Sequence, residues 1–103
     1  MKLAIVGLGS IGRRHLQNFR AVGVEELTAY DAAPAQRESV AREFPFASVT
    51  GTLEEALDGA RGVAICTPPD SHLALARMAA DRGAHLMIEI GRASCRERVY
   101  VLV

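Results

Sequence analysis

The composition lacks the features that mark several common classes of protein. The 12 basic and 12 acidic side chains cancel, so no excess of positive charge favours nucleic acid or an anionic membrane as a partner. The two cysteines, Cys66 and Cys95, do not have metal-ligand spacing, so we expect no metal site and a reducing, cytoplasmic location. Residues 3–12 are too short and too rich in glycine to span a bilayer, and they lack the cleavage site of a secretory signal. The 103 residues have room for at most one small domain.

Glycines near the N-terminus give the strongest functional signal. Residues 2–12 read KLAIVGLGSIG, an apolar run that ends in a Gly-x-Gly-x-x-Gly motif and typifies dinucleotide binding. The first glycine permits a tight turn, the second lets the backbone approach phosphates, and the third lets a helix pack closely on the strand. Free N–H groups at the start of that helix then point at the anion, helped by the helix dipole. The residues expected to hold the diphosphate are Gly7, Gly9, Ser10, Ile11 and Gly12.

The residues that follow fit this interpretation. Apolar side chains after Gly12 recur at three- and four-residue steps as far as Gly23, which is helical spacing. A second apolar run, residues 27–30, then ends at Asp31. Asp31 lies 19 residues after Gly12, close to the roughly 20 expected for the acid that binds the adenosine ribose.

Asp31 also bears on the choice of cofactor. Its carboxylate can accept hydrogen bonds from both ribose hydroxyls and would repel a 2′-phosphate. No arginine follows it directly, so NAD is favoured over NADP. NADP stays open as an alternative, because Arg13 or Arg37 could fold over a phosphate.

Strand and helix patterns alternate along the chain. Thr52 and Glu55 form a capping box for a short helix, and Asp70 or Ser71 is placed to cap a later one. Further strands are predicted over residues 46–49, 63–66 and 85–89, and further helices over residues 34–44 and 73–83. The sequence therefore predicts an α/β fold, a Rossmann-type doubly wound parallel sheet of about five strands.

Ligands of such sheets bind beyond the carboxyl ends of the strands. The fourth strand ends in the loop Thr67-Pro-Pro-Asp-Ser-His72, and the fifth ends at Glu89. We therefore expect the nicotinamide half of the dinucleotide near Thr67, Pro68, His72 and Glu89.

The segments GLGSIGRRH, YD, ICTPPDSH and GAHLMIE, in this order over residues 1–89, resemble the N-terminal domain of the Gfo/Idh/MocA family. The resemblance implies an NAD(P)-dependent oxidoreductase that transfers hydride between the nicotinamide and a sugar, inositol or related polyol. It implies that Thr67, Pro68 and His72 line the nicotinamide–ribose region, and that the intact parent is a homo-oligomer. It also implies a Glu-Lys-Pro motif starting at Glu89, whose lysine acts at the substrate carbinol.

The chain departs from that family after Glu89. It reads Glu89-Ile90-Gly91, so no catalytic residue is assigned, because the lysine is missing. Residues 90–99 resemble a translated short-read sequencing adapter, and residues 100–103 fit its barcode and final codon. We therefore expect a partial dinucleotide-binding domain over residues 1–89, a non-native tail over residues 90–103, and no substrate domain. On this hypothesis the fifth strand is an exposed edge of the sheet, and the domain is only marginally stable.

The leading functional hypothesis is thus an inactive cofactor-binding fragment of a sugar or polyol dehydrogenase. Hydride transfer needs a substrate held against the nicotinamide and a group that moves the hydroxyl proton. One alternative is another dehydrogenase class with the same first domain, such as an amino-acid dehydrogenase or an imine reductase. The other is a non-catalytic module that senses a nucleotide.

Overall fold

The computed structural model describes residues 1–91 and 98–102. The strands among them are β1 Lys2–Val6, β2 Glu26–Tyr30, β3 Ser48–Val49, β4 Gly62–Ile65, β5 His85–Gly91 and β6 Arg98–Leu102. The helices are α1 Ser10–Ala21, α2 Pro34–Glu43, α3 Leu53–Leu57 and α4 His72–Asp81, with a 3-10 turn at Pro69–Ser71. Within these ranges, no helix has both the length and the apolar character needed to cross a membrane.

The strands form one sheet in the order β3-β2-β1-β4-β5-β6. The first five strands of the chain pair in parallel. The chain moves outward from β1 to β2 and β3, then crosses back to β4 and moves the other way to β5. Right-handed crossovers therefore put α1 and α2 on one face of the sheet and α3 and α4 on the other. This confirms the predicted Rossmann-type doubly wound fold.

Each face of the sheet has its own apolar core, and β1 contributes to both. Ile5 belongs to the core under α1 and α2, whereas Ala4 and Val6 belong to the core under α3 and α4. Successive residues of a strand point to opposite faces, so a strand buried on both sides reads as a continuous apolar run. The core under α1 and α2 consists of Ile5, Leu8, Leu16, Leu27, Ala29, Val40, Phe44 and Ala64. The other core consists of Ala4, Val6, Leu57, Ala60, Val63, Ile65, Ala79 and Leu86.

Three neighbouring strands end level with one another. Val6 pairs with Tyr30 of β2 and with Ile65 of β4. Just beyond them, the Gly7 N–H donates to the Tyr30 carbonyl over 2.8 Å, and the Cys66 N–H donates to the Val6 carbonyl over 2.7 Å. The loops after β1, β2 and β4 therefore leave the same edge of the sheet side by side. The strand order reverses between β1 and β4, which is where ligands of this architecture bind.

The outer side of β5 differs from the expectation. It is not an exposed edge, because Arg98–Leu102 pairs antiparallel with it, from Met87 opposite Leu102 to Gly91 opposite Arg98. The β-branched Val99 and Val101 favour a strand here. The sequence interpretation found no strand pattern in residues 90–99, but β5 continues through Ile90 and Gly91, and Arg98 and Val99 begin β6. Residues 92–97 and 103 of the expected tail lie outside the described residues.

The two predicted helix caps have different outcomes. The Thr52 cap is confirmed, since its hydroxyl accepts a hydrogen bond from the Glu55 N–H over 3.2 Å. Ser71 precedes α4 but makes no side-chain capping hydrogen bond. Its φ of −92° and ψ of −12° are helical, whereas a capping residue is extended. Its own N–H donates to the Pro68 carbonyl, so the 3-10 turn leads straight into the helix.

Candidate dinucleotide-binding cleft

Gly7 makes the turn out of β1 at the point where the strand order reverses. Its φ of +99° lies in the region that side chains rarely adopt. A Cβ there would lie 2.7 Å from the carbonyl carbon and oxygen of Cys66 and 2.9 Å from the Thr67 nitrogen. This position therefore requires glycine for two reasons: the backbone angle is positive, and a side chain would clash with the end of β4.

The other two motif glycines have opposite surroundings. A Cβ at Gly12 would overlap the Gly7 carbonyl oxygen, so this glycine lets α1 pack directly on the end of β1. A Cβ at Gly9 would meet no atom within 4 Å. The space beside Gly9 is thus open, and an anion can approach the backbone there.

The start of α1 supplies hydrogen-bond donors to that open space. Gly9 is the N-cap and offers no side chain, and the first helical hydrogen bond is from the Arg13 N–H to the Gly9 carbonyl, over 3.0 Å. The N–H groups of Ser10, Ile11 and Gly12 precede this bond in the first turn, where N–H groups have no helical acceptor. Together with the helix dipole, they suit a phosphate group.

Asp31 lies beside this loop, directly after β2. Its Oδ2 accepts the Leu8 N–H over 2.8 Å, and its Oδ1 accepts the Ala33 N–H over 2.8 Å. Each carboxylate oxygen has two lone pairs, so each keeps one for a ribose hydroxyl. The sequence predicted the ribose acceptor. The structure adds that the same carboxylate binds the glycine loop to the end of β2.

Both arginines considered for a phosphate make hydrogen bonds to other groups of the chain. The Arg13 guanidinium donates to the Leu8 carbonyl and to side chains of α2. Arg37 donates from Nη1 to the Asp31 carbonyl over 2.8 Å, and its guanidinium carbon lies 5.7 Å from the centre of the Tyr30 ring. None of these hydrogen bonds is to the Asp31 carboxylate.

The loop after β4 forms the facing wall. The Oγ1 atom of Thr67 is buried and has no hydrogen-bond partner among the described residues. Such a hydroxyl is costly unless a ligand satisfies it. The Nε2 atom of His72 lies 2.7 Å from the Thr67 carbonyl oxygen, so Nε2 carries the proton of this bond. His72 thereby holds the backbone of the loop.

Between these walls lies a cleft of about 700 Å³. The predicted residues that line it are Gly7, Gly9, Asp31, Thr67 and Pro68. Ser10, Ile11 and Gly12 form the adjoining helix start. His72 supports the loop through the hydrogen bond from its ring to the Thr67 carbonyl. Glu89 lies in β5, opposite Tyr100 of β6, and its side chain lies outside the described part of the structure.

The sequence interpretation missed much of the apolar wall of the cleft. Residues that it did not assign to this site are Val6, Tyr30, Ala32, Gln36, Leu53, Cys66, Ser71, Ala74, Leu75 and Met78. The last four share one face of the segment that starts at Ser71, at positions i, i+3, i+4 and i+7. That spacing was visible in the sequence, but it equally fits a helix face that packs on the sheet.

A family model matches residues 1–90, and its description is an oxidoreductase family with an NAD-binding Rossmann fold (Gfo/Idh/MocA). One curated relative is the UDP-N-acetylglucosamine 3-dehydrogenase of Acidithiobacillus ferrooxidans, 36% identical over an alignment of 93 residues that covers 86% of this chain and 28% of that protein. Another is the 4-carboxy-2-hydroxymuconate-6-semialdehyde dehydrogenase of a Sphingobium strain, 33% identical over 94 residues, with 87% and 30% covered.

Solved structures agree with the fold. The structure of the Acidithiobacillus enzyme superposes with a TM-score of 0.77 over 85% of this chain and 28% of that one, with 27% identity in the superposition. The scyllo-inositol dehydrogenase of Lactobacillus casei, with bound NAD(H) and scyllo-inositol, superposes with a TM-score of 0.69 and 25% identity, covering 85% and 27%. The chain thus spans less than a third of the length of the proteins that it matches.

Proposed function

Because this chain belongs to the Gfo/Idh/MocA oxidoreductases with an NAD-binding Rossmann fold, we propose that its cleft holds NAD between the glycine loop and the loop after β4. The observation that carries the proposal is the hydrogen bond from the Leu8 N–H to the Asp31 carboxylate. It brings an anion-binding loop and a ribose-binding acid within one contact of each other. A diphosphate and its adenosine ribose are separated by a similarly short distance.

The adenosine half belongs at Asp31. Its two oxygens offer one remaining lone pair each, which matches the paired hydroxyls of an unmodified ribose. A 2′-phosphate would put a second negative charge against the carboxylate, while Arg13 donates to the Leu8 carbonyl and Arg37 donates to the backbone carbonyls of Asp31 and Ala32. We therefore propose that the site prefers NAD to NADP.

The nicotinamide half belongs at the loop after β4. The Oγ1 of Thr67, which has no partner in the described part of the chain, is the donor or acceptor that this half would satisfy, and Pro68 supplies an apolar surface beside it. His72 acts through its bond to the Thr67 carbonyl, which holds the loop in place. Glu89, directly after the part of β5 that pairs with β4, is the fourth residue that we assign to this region.

We further propose that the chain is the cofactor-binding part of an oxidoreductase that acts on a sugar, inositol or related polyol. Two of the similar proteins support this substrate class by their names, a UDP-N-acetylglucosamine dehydrogenase and a scyllo-inositol dehydrogenase. NAD supplies the hydride acceptor in such chemistry, and a separate group must take the hydroxyl proton. Ile90 stands where the family resemblance implies a lysine, so the 103-residue chain is expected to bind nucleotide without turnover.

A non-catalytic nucleotide sensor is the second candidate. It is favoured by the isoleucine at position 90, since the chain combines a complete glycine loop and ribose acid with no lysine at that position. A sugar- or polyol-dependent production of NADH by the 103-residue chain would exclude the sensor and the inactive fragment alike.

Calorimetric titration of the 103-residue chain with NADH and NADPH tests the binding proposal. We expect saturable binding of NADH and weaker binding of NADPH. A chain that is folded by circular dichroism and binds neither nucleotide would refute the proposal. Equal affinities would retain the site but overturn the preference assigned to Asp31.

A further inference from the structure

We propose that Arg13, in α1, is a positioning residue that anchors the diphosphate loop to α2 without touching the nucleotide. This inference rests on the proposed function, since it concerns the same cleft. Its basis is the set of hydrogen bonds that Arg13 makes to the glycine loop and to α2.

Arg13 connects the glycine loop to a polar patch on α2. Its Nε donates to the Leu8 carbonyl over 3.0 Å. On the other side, Nη1 donates to Glu43 over 2.9 Å, and Nη2 donates to Gln36 over 2.8 Å and Ser39 over 3.0 Å. Four of the five guanidinium donors are therefore used, and Glu43 forms an ion pair with Arg13.

The contact with Leu8 controls the direction of the next N–H group. The Leu8 carbonyl and the Gly9 N–H belong to one planar peptide unit, and the described residues contain no cis peptide bond. In a trans unit these two groups point in opposite directions. When Arg13 holds the carbonyl on its own side, the Gly9 N–H is turned away from Arg13, and Gly9 lines the cleft.

The other side of Leu8 is fixed as well. Its N–H donates to Asp31, and its side chain is fully buried in the core under α1 and α2. Both peptide units around Leu8 are thus oriented by charged side chains, one from α1 and one from the end of β2. Such fixed N–H groups bind an anion without reorganising first, which increases affinity.

This arrangement makes Arg13 differ from its neighbour. Arg14 carries the same charge on the same helix turn, but it is exposed to solvent. A general attraction of the nucleotide by positive charge would involve both arginines. A positioning role would involve Arg13 and its anchors on α2 only.

The test compares variants of the 103-residue chain by calorimetric titration with ADP-ribose. We expect Arg13→Ala to weaken binding by about ten-fold, equivalent to about 1.4 kcal/mol. Glu43→Ala should weaken binding several-fold, because it loosens Arg13 on α2. Arg14→Ala, the matched control, should change the affinity by less than about two-fold. Arg13→Lys should restore only part of the affinity that Arg13→Ala loses. A single ammonium group cannot contact the Leu8 carbonyl and the side chains of α2 at once, as the planar guanidinium does.

Two readouts separate positioning from a general loss of structure. In amide NMR spectra without nucleotide, Arg13→Ala should shift the Gly9 signal strongly, while signals of β5 stay unchanged. Adenosine alone, which has no phosphate, should bind Arg13→Ala and the unchanged chain with affinities within about two-fold.

Three results would overturn the inference. One is an Arg13→Ala variant that binds ADP-ribose as tightly as the Arg14→Ala variant. Another is tighter binding by Glu43→Ala, which would mean that a released Arg13 contacts the phosphates directly. The third is an unchanged Gly9 signal in Arg13→Ala. If the unchanged chain binds neither ADP-ribose nor NADH, the proposed function itself fails. The titration of the unchanged chain alone reveals this outcome.

Discussion

Replacement of Asp31 by asparagine should lower the stability of the protein even when no nucleotide is present. The carboxylate accepts two backbone N–H groups at 2.8 Å, from Leu8 and Ala33. An asparagine keeps one acceptor oxygen and turns an NH₂ group toward the other N–H, so one charge-assisted hydrogen bond is lost. Such a bond contributes about 1.5–3 kcal/mol, so we expect the free energy of unfolding to fall by about 2 kcal/mol. With a urea m-value of about 1–2 kcal/mol/M, the midpoint of unfolding falls by about 1–2 M.

The same variant should also bind NADH at least about ten-fold more weakly, since the ribose hydroxyls lose a charged acceptor. Asp81→Asn is the matched control, because Asp81 is an exposed carboxylate at the end of α4. It should change the stability by no more than about 0.5 kcal/mol. An Asp31→Asn variant that loses NADH affinity but unfolds at the same urea concentration as the parent would refute the dual role. The Asp31 carboxylate of the unchanged chain would then act on the ribose alone.

Three further substitutions separate stability from binding at the cleft. Gly7→Ala should lower the free energy of unfolding by about 3 kcal/mol or more, because it combines a positive φ with a Cβ 2.7 Å from the Cys66 backbone; urea unfolding measures this, and an unchanged midpoint contradicts it. Gly9→Ala should change the free energy of unfolding by less than about 1 kcal/mol but weaken NADH binding about ten-fold, because its Cβ occupies the open space that we assign to the phosphate. An undiminished affinity in NADH titration would contradict this assignment. Thr67→Val should lower the free energy of unfolding by no more than about 0.5 kcal/mol, since Oγ1 has no partner among the described residues, while NADH affinity falls several-fold; a large loss of stability would mean that the hydroxyl has a structural role.

Local patterns predicted the fold because each of them reports one element. The run over residues 3–6 predicted a strand buried on both faces, and Ile5 and Val6 indeed lie in opposite cores. The glycine spacing predicted a turn and a tight helix start, and the contacts of Gly7 and Gly12 give the steric reason for both.

The rest of the site depends on contacts between residues far apart in the chain. Nothing near Arg13 indicates that it will meet Glu43, which is 30 residues away. Likewise, Asp31 reads as a ribose ligand by spacing, but its bond to Leu8 appears only once β1 and β2 lie side by side. A polar side chain that can take several partners is assigned by tertiary structure, whereas a glycine with one steric role can be assigned from sequence.

The central position of β1 has a consequence for synthesis. Leu3 pairs with Leu27 of β2 on one side and with Gly62 of β4 on the other. Gly62 is therefore translated about 60 residues after Leu3. At about 5–20 residues per second, a nascent chain carries this apolar strand for several seconds with one ladder of amides and carbonyls unpaired. During that interval the unpaired side of β1 is open to association with other chains or to capture by a chaperone. Slower translation between β2 and β4 should therefore lower the yield of protein that leaves the ribosome in a native state.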